Sequence, residues 1–479
     1  MTLRLYAHAL KAARARQLRG RLAAPVRRRR FPAGSPPPFH PPEGAAELWR
    51  SPAFEAAPLA GSGEERLRSF HAHYGEDVLA AARAGDGDRA LLAARSWISA
   101  NPPAPGDAWH PYTSSTRAGN WIAAAALEPS VAEADVVASL WRQLLYVAGN
   151  VEDGVLGNHV IRNARALVLG GAAFGDERLS RRGRDLLRRE LPEQVLRDGG
   201  HYERSPVYHA IVLRDLLEID GTVPGLVPGP LLATMRAFAG GLARPDGRPA
   251  LFNDGGLDQA PALDLPPAGD GLLVYRETGY AVLRTGPLWL AFDCGAPAPP
   301  FLPAHAHADA LSFQLWWGGA PVVVDPGTYT YEAGAERDWF RGTEAHSTIA
   351  VDGLDQFRLW GAFRSGPLPR VELLDARPTR LEARATWGPV RHTRTIRVEL
   401  PGSVTVTDLV EGDGEHGLVS SLPLGGVSAS IAGVGPLAAS HEPRWVSERF
   451  FERSNGTALV QRGRLRLPAT VGWEIRLPS

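Results

Sequence analysis

The sequence predicts an α+β chain of several domains: a helical part, built as an α/α toroid or a bundle, and then an antiparallel β-sandwich. Three observations predict it. Apolar residues recur at three- and four-residue spacing from about Glu64 to Leu242. Beyond a stretch rich in Gly, Pro and Asp, the pattern changes to alternation by two. The length, 479 residues, is enough for two or three domains with large cores.

The first 45 residues read as a basic segment and a proline-rich linker. Arg4, Lys11, Arg14, Arg16, Arg19, Arg21 and Arg27 to Arg30 supply the charge. Leu3, Leu10, Leu18 and Leu22 form a weak apolar face, so the segment reads as a solvated amphipathic helix. It has no continuous apolar core of a secretory signal, which leaves the cytoplasm as the default expectation, with a periplasmic or surface location as the alternative. Pro36 to Pro38 and Pro41–Pro42 forbid helix. Asn101 to Pro105 forms a second proline-rich loop.

Residues 46–265 are expected to be the helical domain. Its stripes are Leu140, Leu144, Val147; Val160, Ala164, Leu167, Val168; Leu186, Leu187, Leu191; Val207, Ile211, Leu216, Leu217; and Leu231, Met235, Phe238, Leu242. Gly154, Gly170–Gly171, Pro192, Gly199–Gly200 and Gly221 are expected to separate the helices. The boundary falls near Pro245 to Asp270. Residues 270–479 are expected to be the β-sandwich, with alternating runs at Ala281 to Leu283, Leu288 to Phe292, Ile396–Val398–Leu400, Val404–Val406, Leu418 to Leu422 and Val471 to Leu477.

Composition excludes several chemistries. The formal charge is zero, so no global field favours nucleic acid or an anionic membrane. The one cysteine, Cys294, excludes an internal disulfide and a multi-cysteine zinc module. The one lysine, Lys11, leaves no Schiff-base lysine in the body of the chain and no phosphate-binding glycine–lysine loop. No run is long enough to span a bilayer.

Four polar clusters stand out. Trp109, Tyr112, Arg117, Asn120 and Trp121 suit a sugar site, with rings for sugar faces and polar groups for hydroxyls or carboxylates; they equally suit helix packing. Asn158 and His159 open the helix that carries Asn163; Asn158 as an N-cap beside a core histidine is the plainer reading. Asp198 to His209 includes His201 and Tyr208. Ser205–Pro206 starts a helix, and the positive helix end favours a Tyr208 phenolate. Finally His305, His307, Asp325 and His346 surround two strand-like runs, Leu311 to Trp317 and Pro321 to Val324, and His307, Asp325 and His346 suit zinc.

With HAHADALSF, VVVDPGTYTY, FRGTEAHSTIAVDG, WHPYTSSTRAGNW, GNHVIRNARALVLGG and DGGHYERSPVYH in view, the sequence resembles the heparinase II/III-like polysaccharide lyases, relatives of heparinases and oligoalginate lyases. The resemblance runs from about Trp109 to Trp360. It implies an α/α toroid joined to a β-sandwich, an acidic polysaccharide as substrate, and cleavage by β-elimination. It places Asn158, His159, Tyr208 and His305 in catalysis, with acid and base left open between the last two. It makes His307, Asp325 and His346 ligands of one structural zinc, with no organic cofactor. Trp109, Tyr112, Arg117, Asn120, His201, Tyr329 and Arg341 are its candidate substrate contacts. Ser347 stands where the family commonly has asparagine, with little consequence expected. The alternatives are a glycoside hydrolase on the same scaffold, drawing on Glu152, Asp153, Glu203 or Asp254, and an inactive glycan-binding relative.

Overall fold

The computed structural model describes residues 2–51, 59–266, 268–399, 402–427 and 429–478; the side chains of residues 2–4 lie outside that description, as does Leu400. Twelve α-helices among the described residues precede the first strand. They are α1 (Thr2–Ala12), α2 (Ala15–Arg27), α3 (Ala46–Arg50), α4 (Arg66–His71), α5 (Glu76–Arg83), α6 (Gly87–Ala100), α7 (Pro111–Leu127), α8 (Ala134–Gly149), α9 (Asn158–Phe174), α10 (Glu177–Gln194), α11 (Pro206–Thr222) and α12 (Gly229–Leu242). The predicted apolar stripes are the faces these helices bury. This is the α/α toroid, and α9 is central to it, packing on α7, α8, α10 and α11.

The helix breaks differ from the sequence expectation. Gly170, Gly171, Pro192 and Gly221 lie inside helices rather than between them. Gly170 is there for close approach: a Cβ at that position would sit 2.5 Å from Leu144 Cδ1. The linker 31–45 has no helix, strand or turn up to Pro42, in keeping with its prolines. Its Phe31 stacks on Tyr146, so it packs on the toroid.

Strands begin at Gly271. A five-stranded antiparallel sheet runs in sequence order through β1 (Gly271–Tyr275), β2 (Tyr280–Thr285), β3 (Leu288–Asp293), β4 (Phe313–Trp317) and β5 (Ala320–Val323). The run from Leu311 becomes strand only at Phe313, because Leu311 has a φ of 66°. After it come α13 (Ala335–Arg341), β6 (Ile349–Val351) and the short pair β7 (Leu359–Trp360) and β8 (Arg364–Ser365). The remaining strands are β9 (Arg370–Arg377), β10 (Arg380–Trp387), β11 (Val390–Glu399), β12 (Ser403–Glu411), β13 (Glu415–Pro423), β14 (Ser430–Val434), β15 (Ala439–Arg449), β16 (Glu452–Arg466) and β17 (Ala469–Arg476). They form a six-stranded sheet, β14-β17-β12-β11-β10-β9, and a four-stranded sheet, β15-β16-β13-β6.

Alternation explains the layering. Residues such as Leu381, Ala383, Val404 and Val406 point inward and meet Leu290 and Leu315 of the first sheet in one sandwich core. The other face of that sheet, with Val282, Trp289 and Trp316, packs on Phe238 and Leu242 of α12. β3 is therefore buried along its whole length. This seam places the loops of the β half against the open end of the toroid.

Candidate active site

A cleft of about 1150 Å³ lies along the seam, lined from the toroid by Tyr112, Asn158, His159, Arg162 and Tyr208 and from the β half by His305, Tyr331 and Phe363. The four expected catalytic residues thus share one cavity.

The toroid side is set by buried carboxylates. Glu152 Oε1 lies 3.0 Å from His159 Nδ1, and its Oε2 accepts from Asn163 Nδ2 at 3.1 Å. Asn163 returns a bond from the Glu152 backbone N–H to its Oδ1, 2.9 Å, so the face shared by His159 and Asn163 grips one acid. Burial pushes Glu152 up, but His159, His110 and Asn163 outweigh it and bring it to about 2. The ring of His159 packs at 4.4 Å on Tyr112. Asn158 is not the N-cap; Gly157 is, at φ 61°. A side chain there would collide with Glu203 Oε1, which accepts from the Asn158 backbone N–H at 2.8 Å and from its Nδ2 at 3.1 Å.

Tyr208 enters from the start of α11, where Ser205 Oγ caps its N–H at 3.2 Å. Its hydroxyl lies 2.9 Å from the Tyr331 hydroxyl. Burial, and then Tyr331, raise it well above the ordinary tyrosine range. The helix end favours a phenolate, as the sequence suggests, yet burial wins and the phenol keeps its proton.

His305 stacks on Tyr208 with ring centroids 4.1 Å apart. Its Nδ1 lies 3.0 Å from Asp254 Oδ2 and its Nε2 lies 3.4 Å from Glu203 Oε2. Asp254 also takes His307 Nε2 at 2.9 Å and both terminal nitrogens of Arg337. Despite burial, the Arg337 guanidinium and the two histidines hold Asp254 well below the usual carboxylate range. Arg204 and Asn253, each beside one of these acids, have left-handed backbone (φ 60° for both), so the loops are held in uncommon conformations at the site.

Below the cleft, His307, Asp309 and His346 form a buried group whose ligand atoms all lie within 4.8 Å of one another. Asp325, expected in the ligand set, is not in that group; its Oδ2 lies 2.9 Å from His346 Nδ1 and its Oδ1 accepts from the Gly327 N–H. Asp309 was not singled out by sequence. Both its oxygens, and His307 Nδ1, are buried without a hydrogen-bond partner among the described residues. Burial, and then Asp325, push Asp309 up to about 7 although His346 opposes this. Uncompensated donors of this type fit a divalent cation. Ser347, in the asparagine position, spans the strands by bonding both the N–H and the C=O of Phe313.

Of the expected substrate contacts only Tyr112 lines the cleft. Arg117 is buried, bonded to Gln143 and to the carbonyls of His73 and Ala108. Asn120 bonds the Tyr74 carbonyl, and Trp109 packs against Phe31, Trp97 and Tyr146. His201 bonds Gln194, Tyr329 packs against Phe340 and Phe451, and Arg341 holds the carbonyls of Ala306, Gly361 and Ala362. These groups make the cleft's supporting wall. Sequence missed Tyr331, Arg337 and Asp309, and treated Glu152, Glu203 and Asp254 only as spare acids; Tyr331 and Asp309 do stand inside the recognisable motifs.

Residues 89–223 match the family described as Heparinase II/III N-terminus, and residues 268–473 match Heparinase II/III-like, C-terminal. The chain belongs to the heparinase II/III-like family. A heparin-sulfate lyase of Bacteroides stercoris is 25% identical over 244 residues, 42% of this chain and 36% of that protein. One of Pedobacter heparinus is 23% identical over 237 residues, 41% of this chain and 36% of its own length. The aligned part thus spans about a third of these relatives. A crystal structure of heparinase III superposes with a TM-score of 0.70 at 15% identity, covering 96% of this chain and 89% of that one. A chondroitin AC lyase of Streptomyces coelicolor superposes at 0.58 and 14% identity, covering 91% and 78%. These likenesses establish a toroid followed by a sandwich.

Proposed function

We propose that the protein is a polysaccharide lyase that cleaves a uronic-acid-containing polymer by β-elimination. The observation that carries this is the stack of Tyr208 on His305, one from each half of the molecule, beside Asn158 and His159 in one cleft. The relatives named as heparin-sulfate lyases support the same reading.

The chemistry follows from the partners. A uronate C5–H is weakly acidic while the neighbouring carboxylate is charged, so donors on that carboxylate stabilise the enolate-like transition state. His159, oriented through Nδ1 by Glu152, and Asn158, held by Glu203, serve this role. His305 takes the C5 proton at Nε2. Asp254 fixes its Nδ1 side, and Asp254 and Glu203 together stabilise the imidazolium that forms. The C5 electron pair becomes the C4–C5 double bond, the C4–O4 bond breaks, and the Tyr208 hydroxyl donates its proton to O4. The protonated state of Tyr208 supports its role as the acid.

The buried group below would hold one structural divalent metal, read as zinc, with His307, Asp325 and His346 as ligands and Asp309 as a further one. Asp325 would exchange its bond to His346 for one to the metal. The metal would hold the β-half loops, and His305 is two residues away on one of them.

A hydrolase would draw on two other cleft carboxyls, Glu76 and Asp258, which burial raises to about 7 and about 6. One experiment separates the readings. The purified protein is incubated with heparan sulfate, chondroitin sulfate and alginate, and ultraviolet absorbance of the unsaturated uronate is followed alongside reducing ends. The lyase raises both signals together and does not cleave carboxyl-reduced polymer. Reducing ends without absorbance indicate hydrolysis, and binding without either indicates an inactive relative.

A further inference from the structure

The basic N-terminal segment does not lie free in solvent. α1 and α2 cross the seam and touch both halves. On the toroid, Arg16 pairs with Glu190 at 2.7 Å and Glu193 at 2.9 Å, Arg21 Nε donates to the Gly154 carbonyl at 3.0 Å, and Gly20 abuts Gly154 so closely that a Cβ would meet its nitrogen at 2.4 Å. On the β half, Gln17 Nε2 donates to the Phe301 carbonyl at 3.0 Å, the Arg14 guanidinium lies 3.6 Å over the Phe301 ring, and Arg364 donates to the Tyr6 hydroxyl at 2.6 Å. The expected apolar face is not the packed one. Leu10 and Leu22 are 58% and 81% exposed, while Gln17 and Gly20 are buried.

Tyr6, His8, Arg21, Arg27 and Arg28 of this pair and its exit line the same cleft as Tyr208 and His305. The two arginines at the end of α2 differ from their neighbours. Arg14 and Arg16 are consumed by Glu190 and Glu193. Arg27 and Arg28 make no ion pair among the described residues, and Arg27 Nε is buried without a hydrogen-bond partner. Arg28 is close enough to influence His110, which sits 3.7 Å from Glu152, the acid that orients His159. Unpaired guanidiniums on the wall of the cleft that holds the candidate catalytic residues suit an oxyanion. Neither family-model match includes residues 1–88, so this wall lies outside the two matched ranges.

We propose that the N-terminal helical pair is a wall of the substrate cleft and that Arg27 and Arg28 form a subsite for a carboxylate or sulfate of a sugar flanking the one that reacts. This rests on the lyase reading for the identity of the polymer, and the test keeps the two apart. The full chain carrying R27A and R28A together is compared with wild type, with R27K/R28K, and with R29A/R30A, whose arginines are exposed and do not line the cleft. Folding of each is checked by thermal melting. On heparan sulfate the R27A/R28A variant is expected to raise KM about tenfold, with a smaller effect on kcat and a shallower salt dependence. R27K/R28K recovers most of the loss and R29A/R30A shows none. Repeating the series on desulfated heparan sulfate separates the ligands: a loss that persists assigns the carboxylate, one that disappears assigns the sulfate. Equal KM values for R27A/R28A and wild type overturn the subsite. If wild type forms no unsaturated product, the lyase reading falls and direct titration with the same polymers decides: weaker binding by R27A/R28A sustains the subsite, whereas equal binding, or none by wild type, overturns it.

Discussion

His305 and His307 stand two residues apart on one loop and are hydrogen-bonded to opposite oxygens of Asp254, yet they occupy different worlds. His305 opens on the cleft and stacks on a tyrosine from the other half of the chain. His307 is fully buried beside Asp309 and His346. The first is the base of the proposed elimination. The second has an unpartnered Nδ1 beside Asp309, whose two oxygens also lack partners among the described residues, a group that could hold a cation. A loop that divides in this way can separate chemistry from support while one carboxylate keeps the two in register.

The largest expected effect tests the cleft side alone. Tyr208→Phe should lower kcat by about 10²- to 10⁴-fold with an unchanged melting curve; turnover near the wild-type level removes Tyr208 from the proton path. Asp254→Asn strikes both regions, because it leaves Arg337 buried without its counter-charge. Urea unfolding should show a loss of about 3–5 kcal/mol together with a fall in turnover. A loss of activity with unchanged stability would place the role of Asp254 at His305 only. His307→Ala tests the buried side: elemental analysis should show loss of bound metal, with stability lower by about 2 kcal/mol or more. Metal retained at the wild-type level would refute the ligand assignment.

The remaining prediction concerns pH and the buried histidines. Burial lowers His71, His110 and His201 to about 4 and His209 to about 3. For a base with a depressed folded pKa, the unfolded state binds more protons between the two values. Stability is therefore full above the unfolded value of ~6.5 and falls as pH drops from there toward 4, by about 1.4 kcal/mol per pH unit for each histidine. Glu76, raised to about 7 by burial, opposes part of this. Urea midpoints at pH 7 and pH 5 measure the sum, and a higher midpoint at pH 5 contradicts it.

Much of this protein is legible in local patterning. Helical stripes, the Ser205–Pro206 helix start and alternation in the strands are legible because each depends on neighbours within a few positions; Asn158, His159, Tyr208 and His305 are legible as candidate catalytic residues through the family resemblance of their motifs. The ambiguity lay in direction. Trp109 and Arg117 have the composition of a sugar site, yet they pack behind the cleft, as does Arg341, which the resemblance added, since an aromatic or arginine on a helix satisfies a carbonyl or a ring as readily as a ligand.

What the sequence by itself determined is the two-part architecture, because periodicity records local geometry, while the groups that carry the proposed chemistry were implied by the family resemblance of its motifs. Only the tertiary structure decided their partners and their state. Glu203 reaches Asn158 across 45 positions and Asp254 reaches Arg337 across 83. Desolvation kept the Tyr208 proton in place against the helix end, and close backbone contact at Gly20 and Gly154 drew the basic N-terminus into the cleft. Burial and ion pairing depend on what the whole chain brings together, and no local window of residues contains that information.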